Sequence, residues 1–162
     1  MLKIFLLFLF LIIPNFGEDV HNLPVYDLQD ERFTIHQEIE THKDKKLLLI
    51  NFTNSNCKPC KLEIPKLIEM KEKYNSAGLV LWIVFVGDSS EIIMKMKKDL
   101  SIKDDIKVFK DPLEISYKRM NFSGVPTNFL IDNTKNIIYK SSGFTDAKMR
   151  TLENKISNNL KK

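Results

Sequence analysis

The chain has 162 residues, of which 43% are hydrophobic and 28% charged, a composition typical of a soluble protein with one compact core. Its net charge of +4 is spread along the sequence, and no basic stripe interleaves arginines with aromatic residues, so nucleic-acid binding is not predicted. Both cysteines lie within a single short segment, Cys57–Cys60, so an active thiol pair leaves none for a structural disulfide framework.

The N-terminus carries an apolar run, Ile4–Ile13, which ends at Pro14. A helix of that length extends roughly 15 Å, about half the hydrocarbon thickness of a bilayer. Residues 1–17 are therefore predicted to be a secretory signal peptide, and an uncleaved membrane anchor stays open because Asn15–Gly17 is a poor cleavage site. Either one places the single domain, residues 18–162, in a periplasmic or otherwise extracytoplasmic compartment.

The first part of this domain is predicted to form sheet. Two short strand-like pieces, Val25–Leu28 and Arg32–Ile35, favour a hairpin at the sheet edge, followed by a helical turn over Ile35–Glu40. The runs Leu47–Phe52 and Leu79–Val86 are continuously apolar, which predicts two strands buried on both faces.

A helix is predicted after each of these two buried strands. The first runs from Lys61 to about Tyr74, and Pro65 is expected to kink it. The segment Asp88–Glu91 has the pattern of a capping box and predicts the start of the second. This second helix is predicted to align its apolar side chains on one face: Ile92, Ile93, Met96 and Leu100.

The last third of the chain continues the alternation of strands and helices. Ile106–Phe109 is predicted as a strand, and Asp111 with Pro112 predicts the start of a short helix. Pro126–Ile131 and Ile137–Ser142 predict a hairpin. The C-terminal helix is predicted to begin near Thr145 and to align four apolar residues: Met149, Leu152, Ile156 and Leu160. The fold class is therefore α/β, with crossover connections around a central sheet.

The segment Cys57-Lys58-Pro59-Cys60 lies between a buried strand and a helix, the arrangement of thiol–disulfide exchange enzymes. Unpaired backbone N–H groups at the helix N-terminus favour a thiolate at Cys57, and Lys58 adds a positive charge. Pro59 suits the first helical turn because it has no N–H to satisfy. A purely stabilising disulfide is a weak alternative, since it would close a very short loop.

Four features together resemble the TlpA/ResA branch of the exported thioredoxin-like thiol–disulfide oxidoreductases. They are the Cys57–Cys60 motif after a buried strand, Glu63, Pro65 and the segment Gly124–Thr127 before the hairpin. The resemblance extends over residues 23–160. It implies a thioredoxin-like fold, with a central mixed sheet flanked by helices and an N-terminal β-hairpin extension.

The resemblance also implies roles for single residues. Cys57 would be the exposed nucleophile and Cys60 the buried thiol that resolves the mixed disulfide. Pro126 would be a cis-proline facing the disulfide, with the Val125 backbone turned toward a substrate strand. Glu63 would take part in the proton chemistry of the cysteines.

Plainer interpretations of two of these residues stay open, and one part of the family pattern is absent. Pro126 is alternatively an ordinary trans residue, and Glu63 an exposed glutamate that pairs with Lys66. The family usually has aromatic residues where this chain has Thr53 and Asn56, which predicts a more polar rim around the nucleophile. The predicted substrate-binding residues of that rim are Asn56, Lys58, Pro59 and Val125. Trp82 is predicted to pack in the core.

The activity that the resemblance implies is reduction of protein disulfides outside the cytoplasm, with apocytochrome c as a target in cytochrome c maturation. A membrane thiol donor of the DsbD/CcdA type would restore the dithiol, and no cofactor beyond the disulfide is implied. Oxidation or isomerisation of exported proteins is the alternative with the same residues.

Metal binding is a different possible use of the two cysteines. Copper delivery through Cys57, Cys60 and Met94 or Met96 is the non-enzymatic alternative. Structural zinc is disfavoured because the histidines are not clustered near the motif; they are His21, His36 and His42.

Overall fold

The computed structural model describes residues 20–41, 44 and 46–161. The predicted signal peptide or anchor, residues 1–17, lies outside the described residues. The elements in chain order are β1 (Pro24–Tyr26), β2 (Arg32–Thr34), α1 (Ile35–Thr41), β3 (Leu47–Thr53), α2 (Lys58–Tyr74), β4 (Leu79–Val86), α3 (Ser90–Asp99), β5 (Lys107–Asp111), α4 (Ile115–Arg119), β6 (Thr127–Asp132), β7 (Ile137–Ser142) and α5 (Asp146–Leu160). Within this described part, no helix has the length and apolar character needed to cross a membrane.

The strands form one mixed sheet in the order β2-β1-β5-β4-β3-β6-β7. Strand β4 is parallel to both β3 and β5, because the chain returns through α2 and α3 between these strands. Strand β6 runs antiparallel to β3 and continues into β7 as a hairpin, and β1 with β2 forms the N-terminal hairpin at the opposite edge. The predicted mixed sheet with an N-terminal hairpin is confirmed.

The central strand β3 is buried at every residue because helices and loops cover both faces of the sheet. Leu47 and Leu49 pack on one face with residues of α2 and α5. Ile50 and Phe52 pack on the other face with aromatic residues, among them Trp82. Trp82 is fully buried, with its ring centroid 4.4 Å from that of Phe109, so its predicted packing role is confirmed.

Helix α3 begins one residue later than the predicted capping box implies. Ser89, and not Asp88, is the N-cap, and its hydroxyl accepts the Ile92 N–H at 3.4 Å. Ile92 is 43% exposed, so its predicted place on the apolar face is wrong, whereas Ile93 and Met96 are buried there. Asp88 does not cap the helix because its carboxylate accepts hydrogen bonds from a distant loop, described below.

Helix α4 also begins later than predicted. Strand β5 continues through Asp111, which pairs with Val86, so Asp111 is not the N-cap. The helix begins at Ile115, after Glu114 in a left-handed conformation with φ of 54°. The Asp111 carboxylate nevertheless accepts N–H groups of the first turn, at 3.1 Å from Ile115 and 2.7 Å from Ser116.

Candidate active site

The two cysteines lie where β3 leads into α2. Cys57 is the N-cap of α2 and forms a disulfide with Cys60, with 5.3 Å between their Cα atoms. The Cys57 Sγ accepts the Cys60 N–H at 3.2 Å, so the sulfur occupies the place of a capping oxygen. Pro59 lies in the first turn, and Pro65 lies within α2, which continues past it to Tyr74.

The two sulfur-bearing residues differ in accessibility. Cys60 is fully buried, whereas Cys57 is half-buried and is flanked by three exposed residues: Asn56, Lys58 and Pro59. Leu62, on the next turn, is 63% exposed and lengthens this accessible surface. A sulfur atom of an approaching protein therefore reaches Cys57 before Cys60.

The segment before β6 approaches the same end of the sheet. Thr127 pairs with Phe52, the residue before the end of β3, so the preceding Val125–Pro126 segment lies beside the loop that leads to Cys57. The Val125–Pro126 peptide is cis, as the resemblance implied. The Thr127 hydroxyl donates to the Gly124 carbonyl at 2.6 Å, which closes this turn. Pro126 is buried and Val125 is half-buried.

Glu63 is buried beneath this surface, with only 1% of its area exposed. The alternative of an exposed glutamate that pairs with Lys66 is wrong, since the Lys66 ammonium instead contacts the Asp146 carboxylate at 2.7 Å. Glu63 follows Cys60 by one helical turn, so the two side chains share one face of α2. The helix thus carries a disulfide and a buried carboxyl group on neighbouring turns.

Two asparagines of the sheet hold the Glu63 carboxylate. Asn128 Nδ2 donates to Glu63 Oε1 at 2.8 Å, and Asn51 Nδ2 donates to Glu63 Oε2 at 3.0 Å. Asn51 Nδ2 also donates to Asn128 Oδ1 at 2.9 Å, and we name these three side chains the Glu63 cluster. Neither asparagine stands out by motif or spacing; the available signal is an amide within the otherwise apolar run Leu47–Phe52.

Burial raises the pKa of Glu63 above its ordinary value, because the ionised form loses its water. The hydrogen bonds from Asn128 and Asn51 oppose this shift, and the positive charge of Lys148 opposes it further. Desolvation is the largest of these effects, so Glu63 holds its proton to a higher pH than an exposed glutamate does. Such a group suits proton exchange with a neighbouring thiol.

A second carboxylate anchors the loop that carries Cys57. Asp88, just beyond β4, is buried and accepts both the N–H and the hydroxyl of Ser55, at 2.7 and 2.6 Å. Ser55 lies two residues before the nucleophile predicted from the sequence. The same loop is closed by the Cys57 N–H, which donates to the Asn54 carbonyl at 3.3 Å. These contacts tie the end of β4 to the start of α2.

The described residues contain no group of three or more histidine, cysteine or acidic side chains arranged to hold a metal ion. The His36 ring contacts the Val20 carbonyl at 2.8 Å, and His21 is exposed. His42 lies outside the described residues.

A disulfide at a helix N-terminus, beside a cis-proline turn and above a buried carboxyl group, defines a thioredoxin-like site. The chain matches the thioredoxin-like family over residues 44–137. It is 30% identical over 128 residues to the thiol-disulfide oxidoreductase ResA of Bacillus cereus, an alignment that covers 78% of this chain and 69% of ResA. The chain therefore belongs to the thioredoxin-like family, among its ResA-type thiol–disulfide oxidoreductases.

Solved structures agree with this fold. A thiol:disulfide interchange protein of Chlorobium tepidum superposes with a TM-score of 0.70 at 18% identity, covering 89% of this chain and 97% of that protein. StoA of Bacillus subtilis superposes with a TM-score of 0.63 at 17% identity, covering 83% and 96%. The thioredoxin-like fold expected from the sequence is confirmed.

Proposed function

We propose that this oxidoreductase acts as a reductase of disulfides in exported proteins, with Cys57 as nucleophile and Cys60 as resolving thiol. The observation that carries the proposal is the unequal burial of the pair above Glu63: one sulfur is accessible, and the other is buried near a carboxyl group. A carboxylate disfavours a second negative charge nearby and raises the pKa of a neighbouring thiol. Strong oxidants instead stabilise their reduced form, so this arrangement favours the reductase direction.

The reaction has two exchange steps. The Cys57 thiolate attacks one sulfur of the substrate disulfide, the substrate S–S bond breaks, and the released sulfur takes a proton. Cys60 then gives its proton to Glu63 and attacks the Cys57 Sγ, which breaks the mixed disulfide. The released second substrate sulfur takes a proton, as the first did, and Glu63 returns its own proton to solvent. The substrate gains two electrons and two protons, and the enzyme is left with the Cys57–Cys60 disulfide.

The surface around Cys57 is the proposed place of substrate binding. The Val125 backbone, next to the cis bond to Pro126, is the proposed partner of an extended substrate strand, with which it would form hydrogen bonds. Asn56, Lys58 and Pro59 form the rest of the exposed rim. This rim is more polar than the family pattern, so the preferred substrate segment is expected to be polar beside its disulfide.

The setting of the reaction is proposed from the resemblance and from the N-terminal sequence. Residues 1–17 would export the chain, or anchor it at the membrane, and so place the domain outside the cytoplasm. The oxidised enzyme would then be reduced again by a membrane thiol donor of the DsbD/CcdA type. Apocytochrome c, whose two haem-attachment cysteines form a disulfide when oxidised, is the proposed substrate.

The equilibrium reduction potential of the Cys57–Cys60 pair tests the direction of electron flow. The purified domain would be equilibrated with thiol–disulfide buffers and the fraction of disulfide measured. A value near that of thioredoxin, about −270 mV, is expected for a reductase, whereas a value near −120 mV would overturn this direction and favour oxidation of exported proteins. Tight copper binding by a reduced protein that lacks disulfide exchange would support the metal-delivery alternative instead.

A further inference from the structure

The two asparagines of the Glu63 cluster come from neighbouring strands. Asn51 of β3 and Asn128 of β6 are register partners in the antiparallel pair, so their side chains lie side by side on one face of the sheet. On that face, Leu49 and Leu130 belong to the core that packs against α2. The cluster therefore continues the core toward the disulfide, where side chains become polar.

Burying this polar cluster is not explained by packing alone. A buried amide or carboxyl group costs free energy unless its hydrogen bonds are formed, and apolar side chains of similar volume would fill the same space without that cost. All three side chains are at most 1% exposed. The amides instead direct two N–H donors at the two oxygens of a single carboxylate.

We propose that Asn51 and Asn128 are positioning residues that hold the Glu63 carboxylate ready for proton transfer with Cys60 and set the pH range of the second exchange step. This inference rests on the proposed function, in which Glu63 takes the Cys60 proton. Donors directed at a carboxylate favour its charged form, so the asparagines offset part of the cost of burial. Without them the carboxyl group would keep its proton to a higher pH and could accept the Cys60 proton only above that pH.

The two amides contribute unequally to the stabilisation of the Glu63 carboxylate. Asn128 Nδ2 donates to Glu63, whereas Asn51 Nδ2 is shared between Glu63 and Asn128. Asn51 Oδ1 is buried without a hydrogen-bond partner among the described residues, so the cluster holds an acceptor that is available when a proton enters it. Asn128 is therefore expected to have the larger effect on the ionisation of Glu63.

Few other groups influence the ionisation of Glu63. The charged group that acts on it is Lys148 of α5. On its own helix, Cys60 does not titrate in the disulfide, Lys61 is exposed, and the Lys66 ammonium contacts the Asp146 carboxylate instead. Strands β3 and β6 present neutral amides to it. A titration of Glu63 in the oxidised protein therefore reports on the asparagines with little interference.

The test replaces Asn128 by leucine, which has a similar shape and no donor. In the oxidised protein, carboxyl ¹³C NMR is expected to show the Glu63 titration in Asn128→Leu moved upward by about one pH unit, a roughly tenfold tighter hold on the proton. Leu130→Ala, on the same strand and face, is the matched control: it should lower stability and leave the Glu63 titration in place. Asn128→Ala gives the same test should the leucine variant not fold.

The functional consequence is read from the second exchange step. In Asn128→Leu, the rate of mixed-disulfide resolution is expected to reach its plateau about one pH unit higher than in the wild type. In a Glu63→Gln background, Asn128→Leu should leave the pH profile unchanged, because it acts through Glu63. An unshifted Glu63 titration, or a shifted titration with an unshifted rate profile, would overturn the inference. Absence of any exchange, with the titration shifted, would refute the proposed function instead.

Discussion

Glu63 is the residue at which burial and hydrogen bonding oppose each other most directly. Its burial raises its pKa, while Asn128, Asn51 and the charge of Lys148 lower it. Burial has the larger effect, so the group holds its proton to a higher pH than in water. The same chain unfolded would release that proton at the ordinary value, and this difference links Glu63 to the stability of the fold.

The first prediction concerns the pH dependence of that stability. Because the pKa of Glu63 is raised in the fold, its contribution is fully present below the ordinary value of 4.5 and is lost as pH rises through the folded pKa. In the oxidised protein, Glu63→Gln is expected to remove this loss. The difference in free energy of unfolding, wild type minus variant, should fall by up to about 1.4 kcal/mol per pH unit between pH 4.5 and the folded pKa of Glu63. Urea unfolding at a series of pH values measures it.

The control for this prediction is Glu69→Gln, which changes an exposed glutamate of the same helix. Its stability should follow the wild type across the whole pH series, since an exposed carboxylate keeps its water in both states. Parallel pH curves for the wild type and Glu63→Gln would contradict a raised pKa at Glu63.

Asp88 is the second residue with a specific prediction. Asp88→Ala leaves the Ser55 N–H and hydroxyl without their acceptor, so the variant is expected to lose about 1–3 kcal/mol of stability. Since Ser55 lies two residues before Cys57, the reduced variant should also react more slowly with a small disulfide probe. Asp99→Ala, at an exposed acid of α3, serves as the control and should change neither property. A stable, fully reactive Asp88→Ala would show that the loop needs no anchor.

The residues that sequence patterns identify are those that act through local spacing. Cys57 and Cys60 are identified because their motif and its helix lie in one continuous segment, and Glu63 follows in the same helix. Asn51 and Asn128 meet only when β3 pairs with β6, so no local pattern connects them. Their place in the cluster depends on strand pairing, which one sequence does not determine.

At the scale of elements, α2 combines a structural and a chemical role in one residue. The Cys57 sulfur caps the helix by accepting the Cys60 N–H, and the same N–H would stabilise a thiolate at Cys57 after reduction. The start of the helix therefore favours the charged form of the accessible sulfur. The buried Cys60 has no comparable position, because it lies within the first turn.

Helix α5 packs on the same face of the sheet as α2, the helix that carries Glu63, and its packing is testable. Leu152 is 1% exposed and belongs to the core with Leu49 of β3, so Leu152→Ala is expected to cost about 2–5 kcal/mol of stability. The neighbouring exposed residue provides the control: Lys155→Ala should stay within about 0.5 kcal/mol of the wild type. Denaturant midpoints measure both. Equal effects of the two variants would mean that α5 contributes little to the core.

Element boundaries follow from the sequence where burial alone determines them. The runs that form β3 and β4, apolar except for Asn51 and Thr53, are found within one residue of their predicted bounds. The predicted starts of α3 and α4 are wrong because Asp88 and Asp111 are not the N-caps of the helices that follow them. In the fold, Asp88 binds Ser55 from another segment and Asp111 extends β5 by pairing with Val86. Contacts between distant segments therefore determine where α3 and α4 begin, and short polar patterns do not predict those positions.

At the scale of the whole molecule, the sheet order collects the site from distant parts of the chain. Strand β3 lies between β4 and β6, so the segments before β6 and after β4 lie beside the loop that carries Cys57. The cis-proline turn, the Asp88 anchor and the disulfide therefore meet at one end of the sheet. The fold positions them before any substrate binds, which favours direct exchange between the reduced cysteine pair and a substrate disulfide.

The direction of electron flow predicts which redox form is more stable. A reductase has a disulfide that its fold favours, whereas a strong oxidant owes its potential to a stabilised reduced form. We therefore expect the oxidised protein to unfold at a higher urea concentration than the reduced protein at neutral pH. The double variant Cys57→Ser with Cys60→Ser should give one midpoint under both conditions. A more stable reduced form would argue for an oxidase.

The central claim is that Cys57 makes the first attack and Cys60 completes the reaction. The most direct measurement mixes each reduced single variant with an oxidised peptide that contains Cys-x-x-Cys-His and detects protein–peptide mixed disulfides by mass spectrometry. Cys60→Ser is predicted to accumulate the mixed disulfide, because the accessible thiol attacks and no second thiol resolves it, whereas Cys57→Ser should capture almost none. Capture by Cys57→Ser as fast as by Cys60→Ser would contradict the assignment.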